Sequence, residues 1–378
     1  MNVNVIRFLD RFIGAVICLI LWPFKIKKKR LKKRKIKKVL IIKIWGIGSI
    51  INITPTISDI KSAFPNSNVY LLTMNHNKEL YENNCEKISR VYSLNLENIF
   101  TAIGSISKTI LQLRKEKIDV LIDFEIPSNS TAIINFFIKP KITIGYITNK
   151  TKDKLFDILV QYKEGKHITK IFKEVLKPLG VAEKKNRFIV PVVLKKDGEC
   201  IDNILEKLNI KDYIVLNINV SATALERRMP IDKFMKIVEY ILNKYKTDII
   251  LIGSIYDVGY VRRFQKNFPD NVYSFAGKTN LLQLFYLIKN SSLLITNDSG
   301  PLHLGFLGNT KTISFFGPET PIKYGPKGKR HIVIYNKLVC SPCMDIFNSK
   351  KINCKYNCKC MRNIPVEKIK KAIDSQLR

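Results

Sequence analysis

Leu293-Leu294-Ile295-Thr296-Asn297-Asp298-Ser299-Gly300-Pro301-Leu302-His303 sets an acid, a hydroxyl, a glycine and an imidazole directly behind a short apolar run. An unbroken apolar run of this length, bounded by turn residues, reads as a strand buried on both faces, as in parallel sheets. Pro301 suits the first turn of a helix, so the polar residues occupy a strand-to-helix turn. In open α/β sheets the carboxyl ends of the strands border the crevice where ligands bind, and a helix starting there directs free N–H groups at an anion. The alternative is a plain cap, with Asp298 or Ser299 closing the helix end and His303 packed against it.

Outward from this stretch the same alternation recurs. Upstream, Tyr213 to Asn217 and Asp248 to Ile252 read as strands, and Thr310 to Phe316 follows downstream; helices are expected near Ile231 to Lys244, Val258 to Phe268 and Leu281 to Lys289. An earlier series has strands at Val39 to Ile44, Val69 to Leu72, Asp119 to Phe124 and Lys141 to Gly145. Helical stretches near Leu80, Ile99 to Lys115 and Ser130 to Ile138 lie between them. Trp45-Gly46-Ile47-Gly48-Ser49 is a glycine-containing turn into a helix that carries Pro55, a phosphate-loop arrangement. Strands alternating with helices predict parallel, doubly wound sheets. Two Rossmann-like domains facing across a cleft are therefore expected, divided near the polar stretch Glu183 to Arg187. The last segment, Pro365 to Leu377, reads as an amphipathic helix that packs back across the first lobe.

The charge is unusual. Of 378 residues 65 are basic and 31 acidic, a net +34, which calls for an anionic partner. Residues 25–38 (KIKKKRLKKRKIKK) hold 11 of the basic residues and no acid, directly behind the uncharged run Phe12 to Phe24. That run is shorter than the ~20 residues that cross a bilayer. It also lacks the small residues of a signal-peptide cleavage site. An interfacial helix with a polybasic collar, held at an anionic membrane surface with the body on the cytoplasmic face of the inner membrane, is the expected arrangement, peripheral or monotopic. The competing reading is a solvated arm or nucleic-acid tail. Nucleic acid as the partner rests on charge alone, without a matching fold or aromatic platforms, and is not expected. A Walker loop, an HExxH zinc site and a serine-hydrolase pattern are absent, and the glycine turn lacks a complete dinucleotide fingerprint.

Several spaced motifs together resemble glycosyltransferase family 9, the ADP-heptose:lipopolysaccharide heptosyltransferases. They are Lys43 to Ser49 with Thr54-Pro55, Asn217 to Pro230, Asp298 to His303, and Phe316-Gly317-Pro318-Glu319-Thr320-Pro321. The resemblance implies a GT-B fold and an inverting, metal-independent transfer from a nucleotide-sugar donor, ADP-heptose or similar. The acceptor it implies is lipopolysaccharide core or another lipid-linked envelope glycan. It runs from about Val39 to the C-terminus, so that behind the anchor and collar (1–38) an acceptor domain (39–183), a donor domain with a cysteine-rich loop (184–363) and a terminal helix (364–378) are expected. Donor contacts would come from Gly48, Thr223, Arg227, Asp298, Ser299, Gly300 and His303. Arg227 stands where relatives carry lysine, a tolerable change because a guanidinium holds two phosphate oxygens at once.

The first loop departs from the pattern. Where heptosyltransferases carry an aspartate as the presumed base for the acceptor hydroxyl, this chain has Ser49, whose hydroxyl is too weak a base unaided. Glu125, or else Asp123, at the end of a neighbouring strand, is the expected replacement; the alternative for this pair is a structural cap or ion pair. A catalytically impaired, sugar-nucleotide-binding or scaffolding relative is the alternative function. Cys340, Cys343, Cys354, Cys358 and Cys360 crowd the C-terminal region. Four of them, Cys340, Cys343, Cys354 and Cys360, suit a structural zinc; reduced thiols packed in the loop are the other expectation. Cys18, Cys85 and Cys200 are isolated and read as ordinary small apolar residues.

Overall fold

The apolar runs pair side by side, as strands without a polar face must. The computed structural model describes residues 3–25, 36–347, 352 and 354–378. Contacts divide the chain into two units, Met1–Pro191 with Ile346–Ser349, and Val192–Asp345 with Lys350–Arg378.

Unit 1 runs α1 (Val3–Leu21), β1 (Lys38–Ile42), α2 (Ile47–Ala63), β2 (Asn68–Met74), α3 (Asn75–Lys78), β3 (Arg90–Leu94), α4 (Ile99–Glu116), β4 (Val120–Asp123), α5 (Asn129–Ile138), β5 (Ile142–Tyr146), β6 (Ile158–Val160) and α6 (Ile168–Lys173). Its strands form one parallel sheet in the order β3-β2-β1-β4-β5-β6. Leu40, Ile42, Leu72 and Leu121 from the sheet and Leu113 and Ile138 from the helices share a buried cluster.

Unit 2 runs α7 (Lys195–Lys207), β7 (Tyr213–Asn217), α8 (Ile231–Tyr245), β8 (Asp248–Leu251), α9 (Val258–Gln265), β9 (Val272–Ser274), α10 (Leu281–Lys289), β10 (Leu293–Asn297), α11 (Gly300–Leu307), β11 (Thr312–Phe316), α12 (Pro321–Tyr324), β12 (His331–Tyr335), α13 (Lys359–Arg362) and α14 (Val366–Leu377). The sheet order is β12-β11-β10-β7-β8-β9, again all parallel. Counted from its own first strand, each sheet has the doubly wound order 3-2-1-4-5-6. The order reverses between β1 and β4 in unit 1 and between β7 and β10 in unit 2, and ligand crevices form at such points.

Three expectations change. Residues 184–191 belong to unit 1 rather than opening the second domain, because unit 1 holds their backbone: Lys173 donates to the Lys184 carbonyl (2.7 Å), Ser58 to that of Arg187 (2.8 Å) and Asn84 to that of Val190 (2.9 Å). The terminal helix α14 belongs to unit 2. Its apolar stripe, Ile369, Ala372 and Ile373, joins the core of unit 2 with Phe234 and Ile237 of α8. Asp374 takes hydrogen bonds from Tyr240 and Tyr245 at 2.6 Å each.

Helix α1 is likewise no separate arm. Among the described residues no helix is long and apolar enough to cross a membrane, and α1 is docked on unit 1 through α5. Asp10 accepts hydrogen bonds from the first two N–H groups of α5, those of Asn129 (3.0 Å) and Ser130 (2.6 Å), and so caps that helix from outside. Gly14 permits the close approach, since a Cβ there would stand 2.9 Å from the Cβ of Asn129. Cys18 is buried with Ala132, Leu155 and Phe156. Lys25, first residue of the collar, turns inward to Asp157 (3.1 Å) and Lys38 pairs with Glu116 (2.8 Å), while collar residues 26–35 lie outside the described residues. Losing an N-cap carboxylate costs ~1–2 kcal/mol. Asp10→Ala is therefore expected to lower the thermal midpoint by several degrees, with Asp10→Asn in between; an unchanged midpoint would show that the cap contributes nothing.

Candidate functional site

In unit 1 the loops after β1 and β4 start side by side, since Ile42 stands opposite Asp123. Gly46 adopts φ +86°, a conformation that L side chains rarely take, and turns the chain into α2. Gly48 is not part of the turn. It lies within the first turn of α2, buried, and its carbonyl accepts from Asn52 (2.7 Å). Ser49 follows it, half-buried at the same helix start.

Glu125 reaches across from the β4 loop and binds the β1 loop. Its Oε1 accepts from the Lys43 ammonium (2.8 Å) and from the N–H groups of Ile44 (2.7 Å) and Trp45 (2.8 Å). Asp123 in turn accepts from the Glu125 N–H (2.8 Å) and from Asn135 (3.1 Å). Burial raises the pKa of Asp123, against the opposing charge of Lys152. Lys152 donates to the carbonyls of Glu125 (2.8 Å), Ile126 (3.1 Å) and Ser128 (2.8 Å) and so fixes the second loop. Glu125 is 3% exposed and Asp123 2%. Both carboxylates are therefore internal parts of a loop clamp, each engaged in hydrogen bonds within unit 1.

In unit 2 the sequence-predicted residues converge around β7 and β10, which are paired with Asn217 opposite Thr296. Ser299 precedes α11 without capping it; its hydroxyl donates back to the Asn297 carbonyl (3.2 Å) and accepts from Asn217 (2.9 Å). The positive end of α11, at Gly300, is thus left uncapped by the Ser299 side chain. Asp298 is buried, and the Arg227 guanidinium approaches it at a loose 3.4 Å. The Nε of Arg227 is buried without a hydrogen-bond partner among the described residues, a donor in place for an anion. Thr223 lies on the same loop in contact with Ser221, hydroxyl to hydroxyl at 2.9 Å. His303 is buried in α11 with its ring edge-on to Tyr324, 6.3 Å between centroids.

Beneath the loop lies an amide web that the sequence reading missed. Asn217 donates to Thr296 (2.9 Å), Asn219 to the Ile252 carbonyl (2.8 Å), and Asn297 accepts from the Met229 N–H (3.0 Å). Their signal in the sequence was an asparagine at or just past the end of two otherwise apolar strands, where an unpaired amide would be costly to bury.

The cysteines support these loops. Cys354 packs with Ala224, Met344 and Ile352 against the Arg227 loop, and the N–H groups of Cys343 (2.8 Å) and Met344 (3.1 Å) bond to the Pro318 carbonyl. All the cysteines are free thiols. Burial, helped by neighbouring thiols, pushes Cys358 up to about 12 and Cys360 to about 11, which favours the protonated form. Among the described residues no three of His, Cys, Asp or Glu are grouped to hold a metal, and the zinc expectation finds no support there.

Comparison with known proteins bears on this geometry. The sequence profile of glycosyltransferase family 9 (heptosyltransferase) matches residues 106–353. The chain is 27% identical over 275 residues to lipooligosaccharide heptosyltransferase 2 of Campylobacter jejuni, covering 69% of this chain and 76% of that protein. Among solved structures, a family 9 glycosyl transferase from Veillonella parvula superposes with a TM-score of 0.78 at 19% identity, covering 92% of this chain and 99% of that one. The ADP-heptose lps heptosyltransferase II of E. coli does so with 0.72 at 14%, covering 90% and 98%.

Proposed function

Because the chain belongs to glycosyltransferase family 9 and is a glycosyltransferase, we propose that it moves a heptose or related sugar from an ADP-linked donor to lipopolysaccharide core or another lipid-linked envelope glycan. The observation that supports the donor assignment is the uncapped start of α11 beside Arg227 with its unpartnered Nε. The similar proteins of C. jejuni and E. coli carry heptosyltransferase names, which favours heptose as the sugar.

In this reading the reaction inverts and needs no metal. The acceptor hydroxyl oxygen bonds to the anomeric carbon as the bond from that carbon to the diphosphate oxygen breaks. Both electrons of the broken bond leave with the nucleoside diphosphate, and the hydroxyl proton passes to water at the site. Arg227 and the α11 N-terminus would hold the charge that grows on the leaving group, and Thr223 and Ser299 would supply hydroxyl contacts. Glu125 and Asp123 would act one step removed, keeping the loop that bears Ser49 in shape.

We also place the protein at the cytoplasmic face of the inner membrane, held there by α1 and the collar. The outward side of α1, including Phe12, Val16 and Ile20, is apolar and exposed, which supports this. Calorimetry on the full-length chain with ADP-heptose, other ADP sugars, UDP sugars and GDP sugars tests the donor reading; selective binding of an ADP sugar is expected. Folded protein that binds none of them would overturn it. Binding without transfer to any lipid-linked acceptor would favour a sugar-nucleotide-binding relative, a reading supported by Ser49.

A further inference from the structure

The docking of α1 settles which way its other side looks. With Gly14 and Cys18 against unit 1, the stripe of Phe8, Phe12, Ile13, Val16 and Ile20 faces solvent. α4 presents a second apolar stripe of the same kind. Leu113 on one side joins the core, while Ile99, Phe100 and Ile103 in the first turns stand out, Phe100 being 84% exposed.

The two stripes share one side of unit 1. The connections from β3 to β4 and from β4 to β5 step the same way along the sheet, so right-handed crossovers put α4 and α5 on one face. Both α1 and α4 pack on α5. The first turn of α4 follows the carboxyl end of β3, and the first turn of α5, where Asp10 binds, follows that of β4. The first turns of α4 and the Asp10 end of α1 therefore flank the carboxyl edge of the sheet, where the Ser49 loop lies, and both helices run from there toward the amino edge, where Lys25 meets Asp157 and Lys38 meets Glu116.

Resting on the membrane reading above, we propose that the first turns of α4 are a second membrane footing. α1 and α4 together set this face of unit 1 on an anionic bilayer, so that a lipid-attached acceptor arrives along the surface at its carboxyl edge. Charge selects the occupant. The collar that follows α1 holds 11 basic residues and no acid, and Lys108, Arg114 and Lys115 line the exposed side of α4 beyond its apolar turns.

The test uses the full-length chain and vesicles of phosphatidylethanolamine and phosphatidylglycerol with brominated acyl chains. Three single-tryptophan reporters are compared: native Trp22 (with Trp45→Phe), Phe100→Trp and Tyr256→Trp, the last two with Trp22→Phe and Trp45→Phe. Quenching at 22 and 100 but not at 256, an exposed position in unit 2, is expected, and Phe100→Asp should weaken vesicle binding about tenfold. Quenching at 22 alone would overturn the second footing and leave the membrane reading standing. Absence of quenching at both would overturn the two together. Equal quenching at 256 would mean unspecific adsorption, and a vesicle-independent dimer that buries position 100 would assign the face to a second copy; either overturns the proposal.

Discussion

Arg227→Ala is expected to lower kcat/KM by roughly 10²–10³ while the protein stays folded, the range seen when one preorganised donor to a developing anion is removed. The argument rests on what Arg227 does without a donor bound. Among the described residues its one ion pair is with Asp298, at 3.4 Å, and its Nε is buried without a hydrogen-bond partner. A side chain so placed gains its best partner only when a diphosphate arrives. Arg227→Lys keeps the charge but presents no fork, so it should recover part of the loss. Steady-state kinetics with the donor found by calorimetry reads the effect. A change of less than about threefold, for protein of unaltered thermal midpoint, would remove Arg227 from the donor site.

The largest effect on stability is expected at Glu125. Glu125→Ala removes the partner of Lys43, whose side chain is 9% exposed, and leaves two backbone N–H groups without an acceptor. Breaking a buried pair from one side costs about 3–5 kcal/mol, which for a unit of this size lowers the thermal midpoint by roughly 10 °C. Glu125→Gln keeps an oxygen for the N–H groups and loses the charge, so its midpoint should lie between the two. The same variant separates two roles. If Glu125 holds the loop, turnover and midpoint fall together and the pH–rate profile keeps its shape. Turnover abolished at an unchanged midpoint, with the acidic limb of the profile gone, would restore it as the base.

The strands legible in the sequence were the eight inner ones, and the four missed are the four edges: β3, β6, β9 and β12. The cause is physical. An inner strand is covered on both faces and flanked on both sides, so β5, β7, β10 and β11 are buried throughout and read as plain apolar runs. An edge strand is partly open, and β6 has no fully buried residue while β12 has one. Three residues such as Ile158 to Val160 carry no pattern that separates them from loop.

The site divides in a similar way. Asp298, Ser299 and Arg227 were legible because a ligand loop needs charge and hydroxyls where an apolar run stops. Which atoms those groups would meet was not legible, because that depends on loops brought together from far along the chain. Glu125 looked like a free acid at a strand end, and only the path of the β1 loop shows that three donors already occupy its Oε1. The cysteine spacing suggested a metal, and what the structure adds is that Cys354 packs with Ala224 beside the Arg227 loop.

The capping of α5 by Asp10 also orders events in time. Asp10 leaves the ribosome 119 residues ahead of the Asn129 N–H that it will bind, and Lys25 precedes Asp157 by 132. At ~5–20 residues per second the apolar helix therefore spends on the order of ten seconds with no folded partner. During that interval its docking face is as bare as its outward one. On the membrane placement proposed above, a nascent chain in this condition would meet the bilayer before unit 1 is complete, and delivery to the membrane would come ahead of completion of the fold.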